Sequence, residues 1–182
     1  MRIVNAGLFH SIDGVVESPD QWQFDSFDDE IGAALTSVMA KTDAVLMGRV
    51  GYEQWASYWP TARDPFASFI NPVRKYVASR TLSGDLEWEN SSLIDGDLFD
   101  FVRELKQTDG GDISVCGSIS VVRQLFLAGL LDELTLITHP VIAGGGRQPL
   151  FEPDGPTARL DLKDAVITSK GNVMATYGLR SE

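Results

Sequence analysis

The residues with the clearest chemical potential follow the apolar run Ala44 to Met47. Gly48 and Arg49 come next, and a helical pattern begins directly after them. Glycine lets a ligand approach the backbone closely, and arginine offers a fork of N–H donors beside the positive end of a helix dipole. The pattern predicts an anion site that suits a phosphate. The alternative is that Gly48 only turns the chain and Arg49 is a solvated surface residue.

Two other predicted strands also end in polar or glycine-rich junctions. The strand from Arg74 to Ser79 is followed by Arg80, at a place where dinucleotide folds bind a ribose hydroxyl with an acid or a 2′-phosphate with a base. Gly117 and Ser118 stand between a strand and a helix whose N-terminus suits a pyrophosphate, although the G-x-G-x-x-G spacing is absent. Because ligands bind at the carboxyl ends of strands in an open α/β sheet, the three junctions together predict a nucleotide site.

The segment before the first predicted helix is rich in aromatic residues. Trp22 and Phe24 could cover a pocket, or they could fix the segment to the core. A helix is expected to begin with Ser26 as its N-cap and the acidic run Asp28 to Glu30 in its first turn. A carboxyl group at a pocket wall can act as a proton donor when desolvation raises its pKa. Acids in a first turn also complement the helix dipole, so both interpretations stay open.

The elements that must position these residues alternate along the chain. Strands are expected over Arg2–Phe9, Ala44–Met47, Arg74–Ser79, Asp112–Gly117, Leu134–Val141, Arg159–Ser169 and Val173–Arg180. Helical spacing is expected for four segments, which contain Ile31, Leu35, Val38 and Met39; Tyr52, Trp55, Tyr58 and Trp59; Leu98, Phe101, Val102 and Leu105; and Val121, Val122, Leu125 and Phe126. The pattern predicts an α/β sheet with an antiparallel edge formed by the last two strands.

Composition narrows the class of protein. The 182 residues fit a single domain over 1–182, and they include no apolar run of the ~20 residues that a membrane span needs. A net charge of −11 disfavours nucleic acid and anionic membranes as partners. One cysteine, Cys116, and two histidines, His10 and His139, form no ligand spacing for a metal. No signal peptide is evident, so a cytoplasmic protein is expected.

An ordered set of motifs resembles the dihydrofolate-reductase-like superfamily, closest to the group that shares the riboflavin-biosynthesis reductase (RibD C-terminal-like) domain. The motifs are Ser11–Gly14, Asp43–Arg49 with Tyr52 and Glu53, Val77–Arg80, Val115–Ser118, Gly129–Leu134 and Pro140–Gly146 with Leu150 and Phe151. The resemblance covers nearly the whole chain. It implies a mixed, mainly parallel sheet with helices on both faces, and NADPH lying across the strand ends.

The resemblance also implies cofactor contacts at ten positions. They are Ala6, Ile12, Asp13 and Gly14 beside the nicotinamide, Gly48 and Arg49 at the phosphates, Gly117 and Ser118 at the pyrophosphate, and Ser79 and Arg80 at the 2′-phosphate. Similarity to relatives that pair through sheet edges further implies a homodimer.

Two departures from the family bear on the substrate. Gly32 stands where dihydrofolate reductases carry the acid that serves pterin protonation, so Asp28 is the best-placed substitute. The helix has no basic residue between Asp28 and Ala40 for a phosphorylated substrate. We therefore expect an NADPH-dependent reductase of a small, uncharged, oxidised heterocycle, such as a pteridine or pyrimidine, held under Trp22 and Phe24. The alternatives are a non-catalytic nucleotide-binding or sensing module, and a scaffold that assembles through its aromatic helix.

Overall fold

The computed structural model describes residues 1–180, and these residues form one eight-stranded sheet. The strands are β1 (Val4–Ser11), β2 (Thr42–Gly48), β3 (Arg74–Ala78), β4 (Ser91–Leu93), β5 (Asp112–Val115), β6 (Glu133–His139), β7 (Leu160–Ile167) and β8 (Val173–Leu179). The helices are α1 (Asp29–Lys41), α2 (Arg49–Tyr58), α3 (Ala67–Ile70), α4 (Leu98–Gln107) and α5 (Ile119–Leu127). Within the same residues, no helix is long and apolar enough to cross a membrane.

The sheet is mainly parallel and has one antiparallel edge. Its strand order is β4-β3-β2-β5-β1-β6-β8-β7, and β8 runs antiparallel to both of its neighbours. A tight turn at Gly171, where φ is 80°, joins β7 to β8 and reverses the chain. This arrangement confirms the predicted fold class.

The two faces of the sheet are covered by different helices. Along β2, Leu46 packs into a cluster with side chains of α4 and α5, whereas Met47 packs with side chains of α2 and α3 on the other face. Both side chains are fully buried. Burial on two faces is the physical reason why the run before Gly48 is apolar without alternation.

The first helix differs from the prediction in two ways. Its N-cap is Asp28 and not Ser26, and its first helical residue is Asp29. Of its predicted apolar face only Ile31 is buried, and Val38 is 42% exposed. The face therefore does not form part of the core but lines a cleft. Spacing alone could not show this, because an apolar stripe is equally compatible with a groove wall.

A buried lysine holds the start of β3, the strand that ends at one of the predicted junctions. Lys75 is fully buried, and its Nζ lies 4.5 Å from the centre of the Trp88 ring. The ammonium donates to three backbone carbonyls between α3 and β3, those of Ile70 (2.9 Å), Asn71 (2.7 Å) and Val73 (2.9 Å). The sequence patterns predicted neither α3 nor β4, and the bonds of Lys75 join the first of these to β3.

Candidate functional site

A cleft of about 2320 Å³ runs along the carboxyl ends of the central strands and over one face of the sheet. Seven of the ten predicted cofactor positions line it: Ala6, Gly48, Arg49, Ser79, Arg80, Gly117 and Ser118. The tertiary structure thus brings the three strand-end junctions into one cavity. Their role in cofactor binding stays a prediction.

Helices α2 and α5 begin side by side at the wall of this cleft. The N–H of Gly48, the N-cap of α2, donates to the Oγ of Ser118, the N-cap of α5, at 2.9 Å. Although Ser118 is the N-cap residue of α5, its side chain makes no capping hydrogen bond to that helix. Neither helix has an acidic residue in its first turn. Two dipole ends without a local countercharge make this wall attractive to an anion.

Glycines permit the close approach of the two helices. A Cβ on Gly51 would lie 1.9 Å from the carbonyl oxygen of Gly117, and a Cβ on Gly48 would lie 2.3 Å from Ser118 Oγ. At Gly117 the backbone has a φ of 59°, and a Cβ there would lie 2.9 Å from the Trp55 ring. Any larger residue at these positions would push the helix starts apart.

Two arginines flank the helix starts. Arg49 pairs with Glu53 across one helical turn at 2.8 Å, and both side chains are close to half exposed. Such an exposed pair is weak, typically within about 1 kcal/mol, so a phosphate can compete for the guanidinium. Arg80 is exposed and forms no ion pair with any residue between 1 and 180. It follows Ser79, whose Oγ accepts the N–H groups of two residues in the turn beyond it.

The turn after β1 is not part of the cleft lining, and its predicted contact with the nicotinamide stays a prediction. Asp13 accepts hydrogen bonds from Ser11 Oγ (2.6 Å) and from the N–H groups of Ala143 (2.9 Å) and Gly144 (2.8 Å). These bonds lower the pKa of Asp13 to about 2. Ile12 is 63% exposed, and Gly14 only turns the chain with a φ of 87°. Ile12, Asp13 and Gly14 lie outside the cleft lining because the turn is tied to the glycine loop after β6.

Trp22 and Phe24 are not among the residues that line the cleft, and their predicted role as the cover of a substrate pocket stays a prediction. Trp22 is 2% exposed, and its Nε1–H donates to the carbonyl of Glu17 at 2.8 Å. Phe24 is 78% exposed and takes a φ of 49°. The segment has no regular period, so the residue types alone did not determine which of its side chains face the cleft.

Other side chains of the same segment form the wall instead. Beside the carboxyl half of β1, the lining includes the uncharged residues Gly7, Phe9, Gln21, Gln23, Phe27, Gly32, Leu35, Thr36 and Ile137, together with the acidic residues Glu17 and Asp20. A Cβ on Gly32 would meet only the ring of Phe27, at 3.6 Å. The family resemblance places Gly32 where dihydrofolate reductases carry an acid, and the helix therefore leaves room for a side chain at that position.

A family model described as the RibD C-terminal domain matches residues 2–175. The chain belongs to this family. A RibD C-terminal domain is what the ordered motifs predicted, and that prediction is confirmed.

Several individual proteins are similar to this RibD C-terminal domain in sequence or in fold. The uncharacterized protein YyaP of Bacillus subtilis (strain 168) is 29% identical over 183 residues, which cover 97% of this chain and 94% of YyaP. A putative riboflavin biosynthesis protein from Shewanella sp. PV-4 superposes with a TM-score of 0.79 at 18% identity, covering 98% of this chain and 99% of that one. Dihydrofolate reductase from Enterococcus faecalis, solved with NADP(H) and RAB-propyl, gives a TM-score of 0.59 at 14% identity, covering 98% and 97%. Both solved structures share the fold.

The acidic first turn of α1 has a structural role in this RibD C-terminal domain. Asp28 Oδ1 accepts the N–H of Ile31 at 3.0 Å, and Oδ2 accepts Asn172 Nδ2 at 2.8 Å. Burial raises the pKa of Asp28. Hydrogen bonds from Thr168, Ile31 and Asn172 lower it by a larger amount, so the pKa lies below its usual value. Asp28 is therefore a carboxylate cap outside the cleft lining, which argues against its predicted role as a proton donor.

The hairpin between β7 and β8 is fastened to the start of α1 by the same group of acids. Glu30 accepts both the N–H (3.0 Å) and the Oγ–H (2.9 Å) of Ser169. Lys170 Nζ donates to the carbonyl of Asp25. Asp28 and Glu30 could have served as acids in catalysis, but their carboxylates instead bind the β7–β8 hairpin to the start of α1.

Thiol and metal chemistry have little support in this cleft. Burial raises the pKa of the Cys116 thiol to about 12, so the thiol stays protonated near neutral pH. Among residues 1–180, no three His, Cys, Asp or Glu side chains lie together in a way that could hold a metal ion.

The aromatic helix α2 packs Trp55 edge-on against Trp59 and Phe66 of the same chain, which weakens the scaffold alternative.

Proposed function

We propose that the protein is a cytoplasmic, NADPH-dependent reductase that transfers a hydride to a small, uncharged, oxidised heterocycle such as a pteridine or pyrimidine. The observation that supports this most is the pair of helix starts at Gly48 and Ser118, 2.9 Å apart, on the wall of a cleft that also contains Arg49 and Arg80. Two helix dipole ends and two arginines suit the three phosphate groups of NADPH.

The residues present fit this cofactor. The starts of α2 and α5, with Arg49, would hold the pyrophosphate, since the two helix N-termini lie side by side at the cleft wall. Ser79 and Arg80 would hold the 2′-phosphate. Ala6 and Gly7 of β1 would border the nicotinamide, which supplies the hydride when NADPH is bound. The NADP(H) found in the Enterococcus faecalis dihydrofolate reductase supports the same class of cofactor.

The substrate would lie between α1 and the sheet. The uncharged wall of Phe9, Phe27 and Ile137 suits a planar ring, and the cleft there carries no arginine for a substrate phosphate. Because Asp28 and Glu30 are held by Asn172 and Ser169, we propose that water in the cleft delivers the proton. The protein would contribute orientation and exclude bulky or anionic substrates.

The decisive experiment measures NADPH oxidation spectrophotometrically with a panel of oxidised pteridines, pyrimidines and quinones. We expect turnover with at least one uncharged member and none in the absence of protein. Tight NADPH binding without turnover on any member would instead favour a non-catalytic nucleotide-binding module. One observation supports that alternative: the cleft lining includes no carboxyl group from α1.

We predict that NADPH binds more tightly than NADH, because Arg80 lies where the 2′-phosphate would lie, is exposed, and has no ion-pair partner within the described residues 1–180. Arg80→Ala should weaken NADPH binding by about 1.5–3 kcal/mol, the value of a charge-assisted hydrogen bond, and NADH binding little. Fluorescence titration of both cofactors measures this. Arg103→Ala, on the exposed face of α4, is the control and should leave both affinities unchanged. Equal affinity of the wild-type protein for the two cofactors would contradict the prediction.

We also predict a homodimer that pairs through the β7 edge of the sheet. Every residue of β7 after Leu160 is exposed, including Leu162 (60%) and Ile167 (78%). A long, uncovered edge strand with apolar side chains is a template for pairing, and a second copy pairs symmetrically.

Light scattering at micromolar concentrations should give twice the chain mass, and Ile167→Lys should shift it toward the monomer. Ile142→Lys is the control, because Ile142 is equally exposed at 77% but lies on the loop after β6. A monomer mass for the wild-type protein throughout this range would rule the dimer out.

A further inference from the structure

A chain of hydrogen bonds connects the cap of α1 to the cleft through a fully buried histidine. Asn172 Nδ2 donates to Asp28 Oδ2 (2.8 Å) and to the carbonyl of Ser26 (2.7 Å). His139 lies between Asn172 and Gln23, with Nδ1 2.5 Å from Asn172 Oδ1 and Nε2 3.2 Å from Gln23 Nε2. Gln23 lines the cleft at the other end of the chain.

The direction of every bond in this chain follows from Asp28. A carboxylate and a backbone carbonyl only accept, so the amide nitrogen of Asn172 must face them. Its Oδ1 then faces His139, which must therefore carry its proton on Nδ1. In the neutral imidazole Nε2 is then the acceptor, and only the nitrogen of Gln23 can donate to it.

The consequence at the cleft is a fixed amide orientation. With its nitrogen turned toward His139, Gln23 presents Oε1 on the opposite side, and this oxygen accepts no hydrogen bond from any residue between 1 and 180. Gln21, the neighbouring amide in the cleft wall, has its Oε1 already occupied by Arg147 at 3.1 Å. Gln23 is thus the amide of this segment whose carbonyl is oriented and free.

We propose that Gln23 is a specificity-determining residue, which accepts a hydrogen bond from a ring N–H of the substrate, and that His139 and Asn172 are its positioning residues. This inference rests on the proposed function, since it assigns the substrate edge that the reductase cleft recognises. The fitting chemical class is an oxidised heterocycle with a cyclic amide or ureide edge, as in a pteridine-dione. A ring with only acceptor nitrogens, or one methylated at nitrogen, would leave Oε1 without a donor.

The binding test uses two probes that differ only in N–H groups, lumazine and 1,3-dimethyllumazine, titrated calorimetrically with and without NADPH. We expect the wild-type protein to bind lumazine about tenfold more tightly than its dimethyl analogue, the value of one hydrogen bond in a desolvated site. Gln23→Leu should remove the difference by weakening lumazine alone. Gln107→Leu, at the exposed end of α4, is the control, and it should retain the tenfold difference in affinity between the two probes.

A second variant separates positioning from folding. His139→Phe keeps an aromatic ring beside Phe9 and Trp22 but cuts the chain of bonds. It should lower the affinity for lumazine toward that of the dimethyl analogue while the analogue and NADPH bind as before. An equal loss of affinity for both probes would show that His139 has a merely structural role, and it would overturn the proposal that His139 positions Gln23.

The tautomer of His139 gives a readout that needs no ligand. Nitrogen-15 NMR near neutral pH should show a protonated, pyrrole-like Nδ1 and an unprotonated Nε2, with a cross-peak to the Gln23 side-chain amide. A proton on Nε2 would turn the amide nitrogen of Gln23 into the cleft and overturn the proposal, as would equal affinity of the wild-type protein for the two probes. Failure of NADPH to bind would count against the proposed function and leave these readouts unchanged.

Discussion

Dihydrofolate and the phosphoribosyl pyrimidine of riboflavin biosynthesis should both be poor substrates, even though the fold is shared with reductases that act on them. Reduction of the pterin needs a proton, and a positioned general acid typically supplies ~10²–10⁴-fold of rate. Gly32 provides no carboxyl group, and Asp28 is held as a capping carboxylate outside the cleft lining. We therefore expect dihydrofolate reduction to be slower by about that factor than in an enzyme with the acid in place.

The phosphorylated pyrimidine is disfavoured for an electrostatic reason. The segment before α1 brings Glu17 and Asp20 to the cleft lining, and the helix itself has no basic residue before Lys41. An anion near these acids in a partly desolvated cleft is repelled, and no arginine of α1 compensates. Steady-state turnover with both substrates measures the prediction.

Variants on α1 identify the cause of the low activity. Asp28→Asn should leave dihydrofolate turnover as low as in the wild type, because Asp28 does not supply the proton, and loss of the charged acceptor for Ile31 and Asn172 should lower the free energy of unfolding by roughly 1–3 kcal/mol. Gly32→Asp should raise dihydrofolate turnover, because only the Phe27 ring approaches that position, and Gly32→Asn is its isosteric control. A wild-type kcat/KM of about 10⁴ M⁻¹s⁻¹ or more on either named substrate would refute the prediction.

Gly51→Ala should disrupt both folding and cofactor binding. The added Cβ would lie 1.9 Å from the carbonyl oxygen of Gly117 and 2.8 Å from its carbonyl carbon, both backbone atoms that cannot rotate away. The starts of α2 and α5 would have to separate, which would break the bond from Gly48 N–H to Ser118 Oγ. Overpacking of this kind costs typically ~1–3 kcal/mol and occasionally more, and we expect NADPH affinity to fall at least about tenfold.

Gly32→Ala is the matched control for this effect. It makes the same change inside a helix, but the nearest atom is the Phe27 ring at 3.6 Å, an ordinary contact. It should raise the free energy of unfolding by about 0.5–1 kcal/mol, because alanine loses less conformational entropy than glycine in a helix. Urea denaturation of the two variants beside the wild type gives the comparison. A Gly51→Ala protein with wild-type stability would mean that the helix starts are not in contact.

The strand ends that carry the predicted cofactor residues could be recognised from the sequence alone. An apolar run ending in Gly48 and Arg49, or in Gly117 and Ser118, is a local pattern, since strand burial and helix initiation depend on residues close in the chain. The same holds for the antiparallel hairpin around Gly171. These patterns predicted an α/β sheet with an antiparallel edge, which the sheet order confirms, whereas the mainly parallel arrangement was implied by the family resemblance.

The roles of single side chains were decided by residues far away in the chain. Asp28 is a structural cap because Asn172, 144 residues later, donates to it, and Gln23 is oriented by His139, 116 residues away. Trp22 is buried and Phe24 exposed although both are aromatic residues of one irregular segment. No local period governs such a segment, so long-range packing and hydrogen bonding determine which side chains face the cleft, and only the tertiary structure contains those contacts.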